Sequence, residues 1–186
     1  MDRVDRRTAL TAAAAGAAAY LLGYLVTYVT RRDAIADRLR GFNFVADLFG
    51  GDPIPTWKAV GWLFYNAHLV ETTIPGFGGA RTVNFLADGG FAPLYLLPPT
   101  LLLGAGVAVA RLGDRESPTA GAVAGALVVV GYLPLALVGA VVVGHPVGDG
   151  RIGPDLVTAG ALAGLVYPAV LGAIGGTVGG VVAGRG

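Results

Sequence analysis

An uncharged run near the N-terminus constrains this chain more than any other feature. From Thr8 to Thr30, 23 residues pass without one Asp, Glu, Lys, Arg or His. As an α-helix such a run is about 35 Å long, and the hydrocarbon layer of a bilayer is about 30 Å thick. A helix also satisfies its own backbone hydrogen bonds, as a lipid environment requires. The run therefore predicts a transmembrane helix over residues 8–30, after a basic tail over residues 1–7.

The same region has features of an export signal, because Arg6 and Arg7 precede the apolar stretch. The apolar core of an export signal is usually about 7 to 15 residues long, and a small-residue cleavage region follows it. Here the core is longer, and Arg31 and Arg32 follow it directly. These features favour a retained membrane anchor over a cleaved signal.

Three further apolar stretches predict three more transmembrane helices, over residues 90–110, 118–144 and 154–183. Charged residues are 13% of the chain, against about 25% in soluble domains. The predicted fold class is therefore all-α, a polytopic protein of the cell membrane with the lipid bilayer as its partner. Residues 1–186 form a single membrane domain, and a net charge of +1 excludes the basic field typical of nucleic-acid binding.

Capping residues and prolines place the ends of these helices. Ser117 is a good N-cap and Pro118 and Pro154 suit a first turn. Pro98-Pro99 predict either a helix that starts there or a kink. Pro134 and Pro168 fall inside the last two stretches, so a kink is expected at each.

The segment of residues 31–89 predicts extramembrane or interfacial helices between the first and second spans. Residues 31–49 have apolar side chains at helical spacing, as in a helix that lies at a membrane surface. A second helix is predicted from Pro55 to Glu71. Its uncharged core, Ala59 to Leu69, is too short for comfortable spanning. An interfacial or half-inserted position is favoured, and a fifth crossing by residues 55–74 remains the alternative.

Asn66, His68 and Glu71 are the candidates for a polar functional site, because they lie close together on this second predicted helix. His and carboxylate groups carry protons and bind metals, which is one interpretation. A metal needs more ligands, and the other histidine, His145, lies in a distant predicted loop. A hydrogen-bonded interfacial pair is therefore favoured. The sequence assigns no catalytic, cofactor-binding or metal-binding residue, and we expect neither a cofactor nor enzymatic activity.

Small residues recur four positions apart in the last two predicted spans. Such pairs let helix backbones approach closely in lipid, where association depends on van der Waals contact. The partner helix is expected either within the chain or in a second copy or larger membrane complex. The candidate packing residues are Gly121, Gly125, Gly160, Gly164, Gly172 and Gly176. A four-residue spacing also relates Tyr20, Tyr24 and Tyr28, which predicts a packing or interfacial face.

Two functional classes follow. A structural or accessory subunit that packs through Gly/Ala faces is favoured, because the four predicted spans have no Asp, Glu, Lys, Arg or His between their ends. The alternative is a small transporter or channel whose path follows the Pro-kinked third and fourth spans. A polar cavity near Tyr132, Pro134, Tyr167 and Pro168 would favour transport, and a dry bundle would favour assembly. Neither substrate nor partner can be read from the sequence.

The distribution of basic residues predicts the orientation. Four spans place both termini on one side, where six basic residues lie, and seven lie on the other side. Several of those seven belong to the long segment of residues 31–89, and the positive-inside rule applies best to short loops. Both termini are therefore predicted to be cytoplasmic.

Several segments together resemble a family of small, uncharacterised multi-pass membrane proteins of halophilic archaea. These segments are the arginine-containing head, the Ala-rich first helix, the aromatic stretch from Gly61 to Glu71, and the Gly/Ala/Val-rich tail. The resemblance implies a lineage and a cell-membrane location. It implies no activity, ligand or catalytic residue.

Overall fold

The computed structural model describes residues 6–48, 50–76, 79–89 and 91–184, apart from the side chain of Asp88. The chain is mostly helical. The helices are α1 (Arg6–Leu48), α2 (Thr56–Asn66), α3 (Phe85–Gly89), α4 (Leu97–Leu112), α5 (Pro118–Ala126), α6 (Val129–Val142), α7 (Leu156–Thr158) and α8 (Tyr167–Ala183). A 3₁₀ helix over Ala92–Leu96 precedes α4, and a π-helical segment over Ala159–Val166 joins α7 to α8.

Four helical stretches of the described chain are long and apolar enough to cross a membrane: Arg6–Leu48, Ala92–Leu112, Pro118–Val142 and Leu156–Ala183. They are the four predicted from the sequence. Large apolar side chains cover their outer faces, among them Leu25, Val29, Val138, Ile174 and Val178. We call these stretches the four candidate spans.

A small antiparallel sheet corrects the prediction of an all-α fold. Its strands are β1 (Thr72–Gly76), β2 (Gly79–Val83), β3 (His145–Val147) and β4 (Gly150–Pro154), in the spatial order β2-β1-β4-β3. β1 and β4 join the two hairpins by pairing Thr72 with Pro154 and Thr73 with Gly153. The predicted turn around His145 is therefore part of a hairpin, and His145 is buried with Nε2 3.2 Å from the carbonyl oxygen of Asp52.

The separate amphipathic helix predicted after the first span is instead the second half of α1. The 43 residues of α1 run without interruption past Arg31 and Arg32. The predicted apolar face is present, since Ile35 is buried and Leu39 packs against the core. Phe49, the last residue of the predicted face, lies outside the described residues. Asn43 holds the following loop to the helix, with its side chain donating to the carbonyl of Ile54 (3.1 Å) and accepting from the Ile54 amide (2.8 Å).

Helix starts follow local capping chemistry. The Ser117 hydroxyl accepts a hydrogen bond from the Ala120 amide (3.2 Å), as predicted for an N-cap. Pro98 and Pro99 lie in the first turn of α4, so the helix starts there. At the fourth span the N-cap is Asp155, which accepts from the Thr158 amide (2.8 Å), while Pro154 ends β4. Hydrogen bonds from the Thr158 amide and hydroxyl lower the pKa of Asp155.

The third and fourth candidate spans are both irregular within their length. A turn at Leu127–Val128 separates α5 from α6, six residues before Pro134. The π-helical segment Ala159–Val166 lies directly before Tyr167 and Pro168. A proline cannot donate the helical hydrogen bond, and a π-helical turn accommodates this loss.

Glycines allow helix backbones to touch inside this chain. A Cβ at Gly125 would overlap the carbonyl oxygen of Gly172, and a Cβ at Gly121 would overlap that of Gly176. α8 thus packs against α5 through backbone contacts, and Gly106 makes the same kind of contact from α4. Gly160 and Gly164 face leucine side chains of α6 instead, with Leu133 Cδ1 2.5 Å from a Cβ built at Gly164. The close partner of the glycine stripe on α8 therefore lies within the same chain.

Candidate functional site

α2 is neither a fifth crossing nor a helix on the surface of this fold. Its 11 residues extend about 16 Å, which is too short to span a bilayer. Residues 59–68 are all buried. The helix runs antiparallel to the C-terminal half of α6, since Lys58 at its start donates to the carbonyl of Gly144 (2.7 Å) and Tyr65 near its end donates to that of Ala136. Trp62 Nε1 between them donates to the carbonyl of Val143 (2.9 Å). Within this fold α2 is a short core helix packed against α6, and its interfacial or half-inserted position in a membrane stays a prediction.

The helix ends at Asn66, five residues before the predicted end at Glu71. Leu69 then adopts a left-handed conformation (φ 61°), which is incompatible with a right-handed α-helix, so the helix cannot continue through this residue. The buried side chain of Asn66 forms hydrogen bonds with backbone groups where the chain leaves the helix. It donates to the carbonyl of Val70 (2.8 Å) and accepts from the amide of Phe85 (2.9 Å). Asn66 therefore links α2 to the strand and short helix that follow.

His68 is completely buried between α2 and the third span. Its Nδ1 lies 2.8 Å from the carbonyl oxygen of Phe64, and its Nε2 lies 2.6 Å from the hydroxyl of Tyr132. A carbonyl only accepts, so we assign the ring proton to Nδ1, and Tyr132 then donates to Nε2. His68 lies outside the four candidate spans, and burial lowers its pKa to about 4. The ring is therefore neutral at pH 7.

Glu71 does not share a site with His68. Its side chain is exposed, while both ring nitrogens of His68 are occupied by Phe64 and Tyr132. The backbone carbonyl of Glu71 accepts from the amide of Asp155 (3.2 Å), which joins the start of β1 to the start of the fourth span. The three candidate residues thus have three different environments, and His68 is the one at the centre of the bundle.

Three tyrosines complete a buried polar group with His68, which we call the tyrosine–histidine cluster: Tyr20, Tyr65, His68 and Tyr132. The Tyr65 hydroxyl donates to the carbonyl of Ala136 and lies 3.0 Å from the Tyr20 hydroxyl. Since Tyr65 uses its only hydrogen on Ala136, Tyr20 donates to Tyr65. Burial raises the pKa of Tyr65, so its hydroxyl stays protonated. The cluster is a neutral set of paired hydroxyls and an imidazole.

Edge-to-face ring contacts fill the space around these polar atoms. The Tyr20 ring lies 5.1 Å from that of Phe64 and 5.3 Å from that of Tyr132, both nearly perpendicular. The Tyr167 ring lies 5.3 Å from His68. The cluster thereby ties α1, α2 and α6 together, and Tyr167 adds the start of α8. Such a core fixes helix positions, because each hydroxyl and ring nitrogen of the cluster has a hydrogen-bond partner.

Tyrosines within the apolar stretches are the sequence feature that indicates this cluster, although they form no known motif. Tyr20 and Tyr132 place hydroxyls within Ala/Gly/Val-rich stretches, where a polar group without a partner is costly. Each such hydroxyl implies a partner on another element. The identity of the partner depends on the tertiary packing, so spacing along the chain could not supply it.

Two basic side chains hold α2 and β4 to the C-terminal end of α6. Arg151 on β4 donates to the carbonyl of Ala140, and Lys58 donates to that of Gly144. Both satisfy carbonyls at a helix C-terminus, where positive charge is stabilising. Within residues 6–184, leaving aside the gaps, no three His, Asp or Glu side chains are arranged to hold a metal ion.

Comparison with known proteins gives one result over nearly the whole chain. Residues 2–183 match the family described as "Family of unknown function (DUF7978)". No curated protein and no solved structure matches the chain. Because the matched region covers far more than half of the sequence, the protein belongs to the DUF7978 family.

Proposed function

We propose that the protein is an integral multi-pass membrane protein that acts as a non-enzymatic structural or accessory subunit. The observation that carries the proposal is the packing at the bundle centre. Backbone contacts at Gly121, Gly125, Gly172 and Gly176 join α5 to α8, and the tyrosine–histidine cluster fills the adjacent space. A bundle packed in this way provides a rigid platform in the membrane.

The outer faces support the membrane location. Their exposed Leu, Val and Ile side chains would be costly in water and are suited to lipid contact. The orientation proposed from the basic residues places both termini in the cytoplasm. The resemblance noted from the sequence supports the cell membrane of a halophilic archaeon as the setting.

Two measurements on the protein in its own host test this function. After an alkaline carbonate wash, an integral protein is expected to stay in the membrane pellet. After mild detergent extraction, an accessory subunit is expected to migrate in a native gel well above its 18.7 kDa chain mass plus bound detergent. Release by carbonate would contradict membrane integration, and migration as a monomer would contradict the subunit role.

The alternative of a small transporter or channel is favoured by one specific observation. The break at Leu127–Val128 and the π-helical segment Ala159–Val166 bring irregular backbone close to Tyr132 and Tyr167. Transporters use discontinuous helices of this kind at their binding sites. Reconstitution in liposomes separates the two functions, because an accessory subunit gives no ion or solute flux above that of empty liposomes. A flux that Tyr132→Phe abolishes would establish the alternative.

A further inference from the structure

A cavity of about 320 Å³ lies between the second half of α1, the start of α2 and the sheet. Its walls are almost entirely apolar and include Ile35, Leu39, Trp62, Leu63, Ile74 and Ile152. Small-molecule sites have volumes of about 300–1,000 Å³ and predominantly apolar walls with a few polar groups. The cavity is therefore large enough for one compact apolar group and lies apart from the tyrosine–histidine cluster.

Two arginines give this apolar cavity a positive charge. Arg38 from α1 and Arg81 from β2 line it, and both side chains are exposed. Arg38 lies over the ring of Phe91 at 4.7 Å and donates to the carbonyl of Gly89 (3.0 Å). Arg31 lies over the same ring at 4.9 Å. Arg38 and Arg81 thus line the cavity from two of its walls, and Arg31 lies beside Arg38 on the Phe91 ring.

Two carboxylates of α1 pair with arginines that do not line the cavity. In the described part of α1, Asp33 pairs with Arg32 (3.4 Å) and Asp37 pairs with Arg40 (2.7 Å). A guanidinium presents several donors in a plane and binds carboxylates or phosphates through paired hydrogen bonds. The charge of Arg38 and Arg81 is therefore suited to an anion at the edge of the cavity.

The position of the cavity along α1 indicates where its ligand comes from. Ile35 lies five residues beyond Thr30, the end of the uncharged run, which is about 8 Å along the helix. This is the level at which lipid head groups meet the hydrocarbon layer. An amphiphile that partitions into the bilayer reaches the cavity at that level.

We propose that this cavity binds a single-chain anionic amphiphile, with the hydrocarbon chain among the apolar side chains and the carboxylate or phosphate against Arg38 and Arg81. The volume is too small for both chains of a diacyl lipid. The apolar walls give a free inorganic anion few partners. This binding goes beyond the structural or accessory role, and it rests on the membrane location proposed above.

Fluorescence of Trp62 provides a direct test, because this side chain lines the cavity and the chain has two tryptophans. The variant Trp57→Phe leaves Trp62 as the single emitter. We would reconstitute the full chain in phosphatidylcholine nanodiscs and titrate it with 11-bromoundecanoate, whose bromine quenches tryptophan at close range. Quenching is expected to saturate, and dodecyl phosphate is expected to reverse it, whereas inorganic phosphate is not.

Charge variants in the Trp57→Phe background test the role of the arginines. Loss of both Arg38 and Arg81, each changed to Gln, is expected to raise the half-saturating concentration at least about tenfold, since charge-assisted hydrogen bonds are lost. Arg40→Gln removes one positive charge from the same part of α1 but does not line the cavity, so it is the matched control. The neutral analogue 11-bromoundecanol is expected to bind the double variant and the parent equally.

A filled cavity gives a second, independent test. Ala59 lines the cavity from α2, and Ala59→Leu retains both arginines while it reduces the volume. This variant is expected to weaken quenching by 11-bromoundecanoate without a change in the Trp62 emission maximum before titration. Quenching that rises linearly and equally in all variants would overturn the proposal, because it would report only ligand dissolved in the bilayer. Equal competition by inorganic phosphate would overturn it in favour of a simple anion site.

Discussion

At the scale of single residues, the smallest and the most deeply buried polar side chains have the greatest structural effect. Gly125 allows α5 to touch the backbone of α8. His68 joins the carbonyl end of α2 to Tyr132 on α6. A side chain at Gly125 would force α5 and α8 apart, and loss of His68 would leave the Tyr132 hydroxyl without its partner.

Gly125→Ala is expected to destabilise the protein by about 1–3 kcal/mol, because the added methyl group would overlap the carbonyl oxygen of Gly172 and force the helices apart. Gly104→Ala is the matched control, since a Cβ on this α4 glycine would have no described heavy atom within 4 Å. We expect the control to raise stability by about 0.5–1 kcal/mol through its helix propensity. Thermal unfolding in detergent measures both, and equal effects would contradict the packing at Gly125.

Replacement of His68 tests the buried imidazole through pH. The pKa of His68 falls from 6.5 in the unfolded chain to about 4 in the folded protein, so between these values the unfolded chain binds more protons. The neutral His68 therefore makes its whole contribution to the free energy of unfolding above about pH 6.5. This contribution, about 3 kcal/mol in total, is lost as the pH falls towards 4. His68→Gln is expected to be less stable at pH 7 and to lose this part of the pH dependence. Parallel pH profiles for the two proteins would contradict a buried neutral His68.

At the scale of elements, α1 combines two structural roles that the sequence predicts for two separate helices. Its first half is a candidate span, and its second half forms a wall of the cavity and carries the loop of residues 50–55. The charges at Arg31 and Arg32 do not end the helix, because arginine has a high helix propensity. The position of the loop depends instead on the two hydrogen bonds of Asn43.

Asn43→Ala is expected to release this loop from α1 and to cost about 1–2 kcal/mol, since two hydrogen bonds to the backbone of Ile54 are lost. Faster hydrogen exchange of the Ile54 amide is the specific measurement. Arg40→Ala is the control on the same helix, because its ion pair with Asp37 is exposed and contributes little. Unchanged exchange at Ile54 in the Asn43 variant would show that other contacts hold the loop.

At the scale of the whole molecule, the start of α1 and the end of α8 lie near the connection between α4 and α5, at one end of the bundle, since Arg115 donates to Thr8 and Gly184 lies beside Glu116. The second half of α1 and the sheet lie at the other end. This assembly is held by contacts far apart in the chain, such as Trp62 with Val143 and Thr72 with Pro154. The orientation in a membrane stays a prediction from the distribution of basic residues.

Single cysteines test that orientation, since the chain contains none. Ala80→Cys, on the exposed strand β2, is expected to react with an impermeant maleimide in intact cells. Glu116→Cys, in the exposed connection between α4 and α5, is expected to react only after permeabilisation. The reverse pattern would place the termini outside.

The sequence by itself determined the four long apolar helices, because an uncharged run of sufficient length has helical structure as its main option in lipid. It also determined the Ser117 cap and the start of α4 at Pro98-Pro99, since these depend on neighbouring residues alone.

Only the tertiary structure decided the sheet, the end of α2 at Asn66, the tyrosine–histidine cluster and the cavity. β1 and β4 pair across about 80 residues of sequence, and Thr72-Thr-Ile-Pro-Gly76 has weak strand character until β4 supplies partners. The helical pattern continued past Asn66, but the pairing of β1 required the chain to turn at Leu69. The physical reason is that span formation depends on local hydrophobicity, whereas strand pairing and buried hydrogen bonds depend on which distant groups come together.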